Sequence, residues 1–312
     1  MSTRPVVISL VVIGLMLGVV AARRSSDAST ESHSSRESVA WSDNFSGPRG
    51  QLPDPRKWSL ETGYGWGDGE LQSYTGRRAN VSLDGRGHLA ITARRERYTG
   101  HDGRTASYTS ARLHTQRKFE FAYGNVEARI RMPAGRGLLP AFWAAGSNLD
   151  VVGWPEAGEI DVVEVNGNQP RTVHGTLHMP RAGQDFALEH TRRTRGALAT
   201  RFHVYGVTWS PNRIAFRFDD RVYGVASRSS LPGGARWTLN HPFFLLLTLA
   251  VGPRWLGPPD ATTRFPATML VDWVRVRRGR ATYCPVVRAP ALRARCPRRP
   301  HSARAAAAEG AR

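Results

Sequence analysis

Three acids fall within six residues of the segment Gly153-Trp-Pro-Glu-Ala-Gly-Glu-Ile-Asp-Val-Val-Glu164, namely Glu159, Asp161 and Glu164. Two carboxyl groups about 5–5.5 Å apart can break a glycosidic bond with retention, one attacking the anomeric carbon and one protonating the leaving oxygen. Read as a strand, Ile160 and Val162 point to one face and Glu159 and Asp161 to the other. Strict alternation would send Glu164 into the core with Ile160 and Val162, where an unpaired carboxylate is costly. One extra residue near Val162–Val163, a β-bulge, returns it to the face of the other acids. The spacing therefore predicts a bulge and a row of three carboxylates facing solvent. Crowded like charges raise at least one carboxyl pKa. Glu164 can then hold a proton near neutral pH, while Asp161 shares or relays one and orients Glu159. The competing readings of such a cluster are a solvated strand face or a cation site with oxygen ligands.

The elements around this row read as strands. Val126, Ala128, Ile130 and Met132 alternate with Glu127, Arg129 and Arg131, the period of a half-buried strand. Leu89, Ile91 and Ala93 repeat that pattern, as do Ile214, Phe216 and Phe218 before a turn at Asp219-Asp220. Residues 242–251 are almost wholly apolar, bracketed by Pro and Gly, and predict a central strand covered on both faces. Gly and Pro punctuate the chain as turns, and no stretch reads as a convincing helix. The fold class is all-β, a sandwich or jelly roll.

The remainder is bounded by composition. The chain has 312 residues and a net charge of +19, with every basic side chain except Lys57 and Lys118 an arginine. Those arginines are spread along the chain without a nucleic-acid-binding motif, which argues against a specific nucleic-acid partner. Arg4 followed by an uncharged apolar run to Ala22 predicts a signal peptide over 1–22, or an anchor if it is not cleaved. Residues 23–40 form a Ser-rich linker, 41–278 the main domain, and 279–312 a basic Arg/Ala/Pro-rich tail, mostly disordered apart from a short helical stub at Ala305–Ala308. The expected location is extracellular, or at the cell surface if anchored, with the tail touching anionic wall polymers non-specifically. Cys284 and Cys296 could close a small loop in that tail but cannot staple the main domain.

The segments PAGRGLLPAFWAAGSNLDVVGWPEAGEIDVVEVNG and TVHGTLH, with ETGYGWGDGELQSYT (61–75), HPFFLLLTLAVG (241–252) and MLVDWVRV (269–276), resemble glycoside hydrolase family 16. The likeness is to its bacterial laminarinase-like endo-β-1,3-glucanases and covers nearly all of 41–278. The resemblance implies a β-jelly roll of two antiparallel sheets with a concave substrate cleft, net retention, and no cofactor in the chemistry. It implies Glu159 as nucleophile, Asp161 as assisting acid and Glu164 as acid/base. It further implies Trp143 and Trp154 as subsite walls, Arg112 as a donor to sugar hydroxyls, His178 on the leaving-group side, and Trp66, Glu70 and Gln72 in a cleft loop. His174 and His178 share a strand face by parity, yet no third ligand is evident, so no metal is assigned. A structural Ca²⁺ of the family would lie near the first strand and Asp272, weakened here because Asn44 replaces the usual Glu.

These features lead to a secreted, monomeric retaining endo-β-1,3-glucanase acting on laminarin-type β-glucan. The rivals are a hydrolase of mixed β-1,3/1,4-glucan or red-algal galactan, a glucan-modifying transglycosylase, and a β-glucan-binding protein without activity. Retention of all three acids argues against the last. Thr248 and Pro253 stand where the family usually has Asn and Gly, and Met179 begins a divergent Arg-rich stretch, so the cleft floor and leaving side are expected to differ.

Overall fold

A computed structural model describes residues 38–278 and the backbone of Cys284–Val286. The signal segment, most of the linker, the Cys284–Cys296 loop and the Ala305–Ala308 stub lie outside the described residues. The first strand, Val39–Asp43, begins two residues ahead of the expected domain start. Cys284–Val286 pairs with Glu120–Ala122 and so adds a strand from a tail whose composition foretold none.

Two sheets, of eleven and nine strands, face each other. One runs in the order 221–227, 213–218, 203–210, 124–131, 267–277, 89–99, 105–110, 72–74 and 63–64. The other, which carries the acids, runs 184–193, 172–181, 159–164, 138–146, 243–251, 112–114 and 59–61. Neighbours pair antiparallel except Gln72–Tyr74 against Thr105–Ser110. Among the described residues helix is confined to one turn at Leu149–Val152 and a 3₁₀ turn at Arg228–Ser230. The all-β jelly roll is what the alternating patterns required.

Gly124–Arg131 buries every second residue, so its apolar set meets the opposing sheet while Glu127, Arg129 and Arg131 face outward. At the turn after Arg213–Phe218, Asp219 and Asp220 both adopt positive φ, as a tight hairpin needs. All nine residues of Phe243–Val251 are buried, as a strand covered on both faces must be. Phe243, Leu245, Leu247, Leu249 and Val251 join the core between the sheets. Phe244 and Leu246 instead pack with Ala145, Trp143 and Leu149 on the other face, and Thr248 and Ala250 continue that face as the floor of a groove. This strand is therefore a shared wall between core and cleft.

Candidate active site

The acids lie on Glu159–Glu164, between Leu138–Gly146 and Thr172–Arg181. On one side Trp143 pairs with Asp161 and Phe142 with Val163; on the other Asp161 pairs with Thr176 and Glu164 with His174. One residue too many is thus accommodated against both neighbours, which is the expected bulge. Val162 and Val163 both enter the core, where each buried side chain stabilises the strand by about 1.5–3 kcal/mol. Two consecutive inward valines leave Glu164 on the same side as Glu159. All three acids line one groove of about 730 Å³.

The row does not face solvent as expected. Asp161 is only 3% exposed and lies at the bottom of the groove, flanked by its cross-strand partner Trp143 and by His178. Glu159 and Glu164 keep an edge open to the groove but are otherwise surrounded by protein. Burial, then the charge of Asp161, pushes the Glu159 carboxyl well above its ordinary range. Burial, then Glu164, raises Asp161 to about 6. Burial, then Glu159, raises Glu164 to about 7. The site therefore holds fewer negative charges than carboxyl groups near neutrality.

His178 sits across the strand pair from Glu159. Its Nε2 is 3.3 Å from Asp161 Oδ2 and its Nδ1 is 2.9 Å from Asp185 Oδ2. Burial alone would lower its pKa, but Asp161, then Glu159 and Asp185, raise it to about 10. Its acidic neighbours thus favour the protonated ring near neutrality. Glu159, Asp161 and His178 can bring one ligand atom each within 4.8 Å of one another, and carboxylates of Asp161 and Asp185 already lie beside the two nitrogens of the ring. His174, on the same strand face, has Nδ1 2.6 Å from Glu189 Oε1.

Trp143 lines the groove, its Nε1 donating to Thr248 Oγ1 at 3.1 Å. Arg112 lies between Trp143 and Trp66, its guanidinium carbon 4.8 and 4.9 Å from their ring centres, and its Nε donates to Glu61. Its guanidinium thus packs against both rings at the groove wall. Glu61 was not foreseen as its anchor. Trp66 and Glu70 border the groove. Gln72 does not; it is fully buried, donating to Glu70 Oε2 at 2.5 Å and accepting from the Val251 amide at 2.7 Å. Gln72 thereby ties the cleft loop to the end of the central strand.

Trp154 and Trp255 border the groove at opposite strand ends, 51% and 55% exposed. Such half-bare rings are ready platforms for the apolar faces of sugars. Trp255 carries no motif in the sequence, although it stands in a Gly/Pro loop as Trp154 does. At the family's calcium position, Asp272 takes the Arg129 guanidinium, and Asp43 accepts from Trp58 Nε1 at 2.8 Å with Lys57 Nζ 3.3 Å away. Cationic side chains already face these carboxylates and Asn44 is exposed, so the residues present do not fit a calcium ion.

A jelly roll whose groove sets paired glutamates beside aromatic walls defines a glycoside hydrolase. The family model for glycosyl hydrolases family 16 matches residues 69–275, and the chain belongs to that family. It is 38% identical over 252 residues to a beta-glucanase of Rhodothermus marinus, covering 77% of this chain and 85% of that one. The solved endo-beta-1,3-glucanase of Pyrococcus furiosus superposes with TM-score 0.71 at 40% identity, over 77% of this chain and 94% of that one. The laminarinase catalytic domain of Thermotoga maritima does so with TM-score 0.71 at 38% identity, over 78% and 98%.

Proposed function

We propose that the protein is an exported retaining endo-β-1,3-glucanase acting on laminarin-type glucans. The observation that carries this reading is the bulged strand that aims Glu159 and Glu164 into one aromatic-walled groove over a buried Asp161. Glu159 and Asp161 share one proton. With that proton on Asp161, the Glu159 carboxylate attacks the anomeric carbon while Glu164 protonates the departing glycosidic oxygen. Water deprotonated by Glu164 then releases the sugar from Glu159. His178, as a cation beside Asp161 and Glu159, offsets the negative charge of the cluster. Trp143, Trp154 and Trp66 hold sugar faces, and Arg112 meets hydroxyls. The similar proteins named above, a beta-glucanase, an endo-beta-1,3-glucanase and a laminarinase, support the choice of glucan.

The test is product analysis on laminarin, lichenan and agarose side by side. Mixed oligosaccharides from laminarin, with agarose untouched, are expected. Glu159→Gln should reduce kcat by about 10⁴-fold or more and leave glucan binding largely intact. Activity surviving that substitution would sink the assignment of roles.

A further inference from the structure

The cleft sheet ends in a hairpin whose outer strand, Gln184–Arg193, reaches back to the acids through the strand between them. The register sets Arg181 opposite Gln184 and His178 opposite Ala187. Asp185 is therefore diagonal to His178, on the groove side, and its Oδ2 lies 2.9 Å from His178 Nδ1. The opposite ring nitrogen lies 3.3 Å from Asp161 Oδ2, an ion-pair distance without hydrogen-bond geometry. Nothing in the hairpin itself calls for an acid at this position. The turn is made by Ala182 and Gly183, both at positive φ.

We propose that Asp185 is a positioning residue of this site, one that fixes the His178 ring so that its second nitrogen stays beside Asp161. The inference rests on reading the groove as the hydrolytic site. An imidazole bonded at one nitrogen has its tautomer and orientation set by that bond. The groups facing His178 are Glu159, Asp161 and Glu164 from the acid strand and Asp185 from the outer strand, with the Trp154 ring 5.8 Å away on the loop side. Asp185 keeps 26% of its side chain exposed, so solvent partly screens its charge and its main contribution is directional. A free ring could rotate away from Asp161, which would remove the cation that holds the Glu159 and Asp161 carboxyls below the values burial alone would impose and leave less of the Glu159 carboxylate for attack.

The experiment is a double-mutant cycle in the full chain, D185N and H178Q singly and together, assayed on laminarin, with a ¹⁵N NMR pH titration of the histidines. D185N is expected to lower kcat about tenfold while KM moves less than about twofold. D185E should recover most of that loss. Added to H178Q, D185N should cost less than about twofold more, because its effect passes through a ring no longer there. In the titration His178 should stay protonated past about pH 8 in the natural chain and deprotonate at least about one unit lower in D185N. Independent, multiplicative effects in the cycle, or an unchanged His178 titration, would overturn the proposal. The NMR arm needs no substrate, so a chain that fails to cleave laminarin refutes the functional reading and leaves this one decided on its own data. D185S carries the same comparisons if D185N fails to fold.

Discussion

Glu164 is the direct cross-strand partner of His174, just as Glu159 is of His178, although five residues separate the two acids and four the two histidines. The difference is the bulge. Gly175 alone stands opposite Val162 and Val163, and the surplus residue is absorbed by turning both valines into the core. The acid row thus depends on hydrophobic packing beneath it.

Deleting Val162 tests this directly. The shortened strand would pair continuously with both neighbours, and strict alternation would still aim the final Glu at the groove. The variant is expected to fold, with kcat lowered about 10–100-fold because the acid loses the displacement the bulge supplies. Inserting one valine after Val163 also makes the spacing even, and continuous pairing then aims Glu164 at the groove but opposite Thr172 instead of His174, so folding should survive while activity is lost. Circular dichroism and laminarin assays on both variants check the pair.

Gly175 is a second point of sensitivity. A Cβ there would lie 2.4 Å from Phe216 Cδ1 and 2.5 Å from the Tyr223 hydroxyl. Gly175→Ala is expected to destabilise by about 1–3 kcal/mol through overpacking, read as a shift of the urea midpoint. An unchanged midpoint would mean that Phe216 and Tyr223 move aside freely.

The pH dependence of kcat should be bell-shaped. The acid at Glu164 must be protonated, so activity falls as pH rises through about 7. The Glu159–Asp161 pair must keep one negative charge, so activity falls again as pH drops through about 6. Glu164→Gln should remove the alkaline limb together with most of the activity. An azide-rescued rate of this variant that still titrated near 7 would contradict the assignment.

Replacing Glu164 should trade activity for stability above neutrality. The Glu164 pKa is about 7 in the folded chain against an ordinary 4.5, so the folded state binds the proton more tightly. Stability from this group is present below about 4.5 and is lost as pH rises through about 7. Glu164→Gln is therefore expected to raise stability at pH 8 by about 1–3 kcal/mol and to change little at pH 4. Calorimetric melting at the two pH values makes the comparison.

Trp255→Ala and Trp154→Ala should separate binding from chemistry. Both rings are about half exposed, so little core is lost and stability should change by less than about 1 kcal/mol. If each ring stacks on a sugar, KM for long glucans should rise about 5–20-fold with kcat changed less than about twofold. Short oligosaccharides that reach only one rim should respond to only one of the two substitutions.

The parity of the acid strand was legible in the residues, because an inward Glu164 would be physically costly and a single bulge removes the conflict. The apolar run of residues 242–251 likewise specified a doubly covered strand. What escaped was whatever depended on another strand's register. Asp161 reads as solvent-facing from its own strand and is buried where the strands bearing Trp143 and His178 flank it. Asp185 and Glu189 lie in the divergent stretch after Met179, and only the hairpin pairing brings them to the two histidines. Glu61 anchors Arg112 from fifty-one positions away, a distance no local pattern spans.

Because Val162 and Val163 seat the acid row by occupying the interior, the machinery has no separate hinge or loop on which to come apart. Heat should silence the catalyst only when the sandwich itself opens, so the midpoint for loss of turnover and the midpoint for loss of tertiary structure ought to be one temperature.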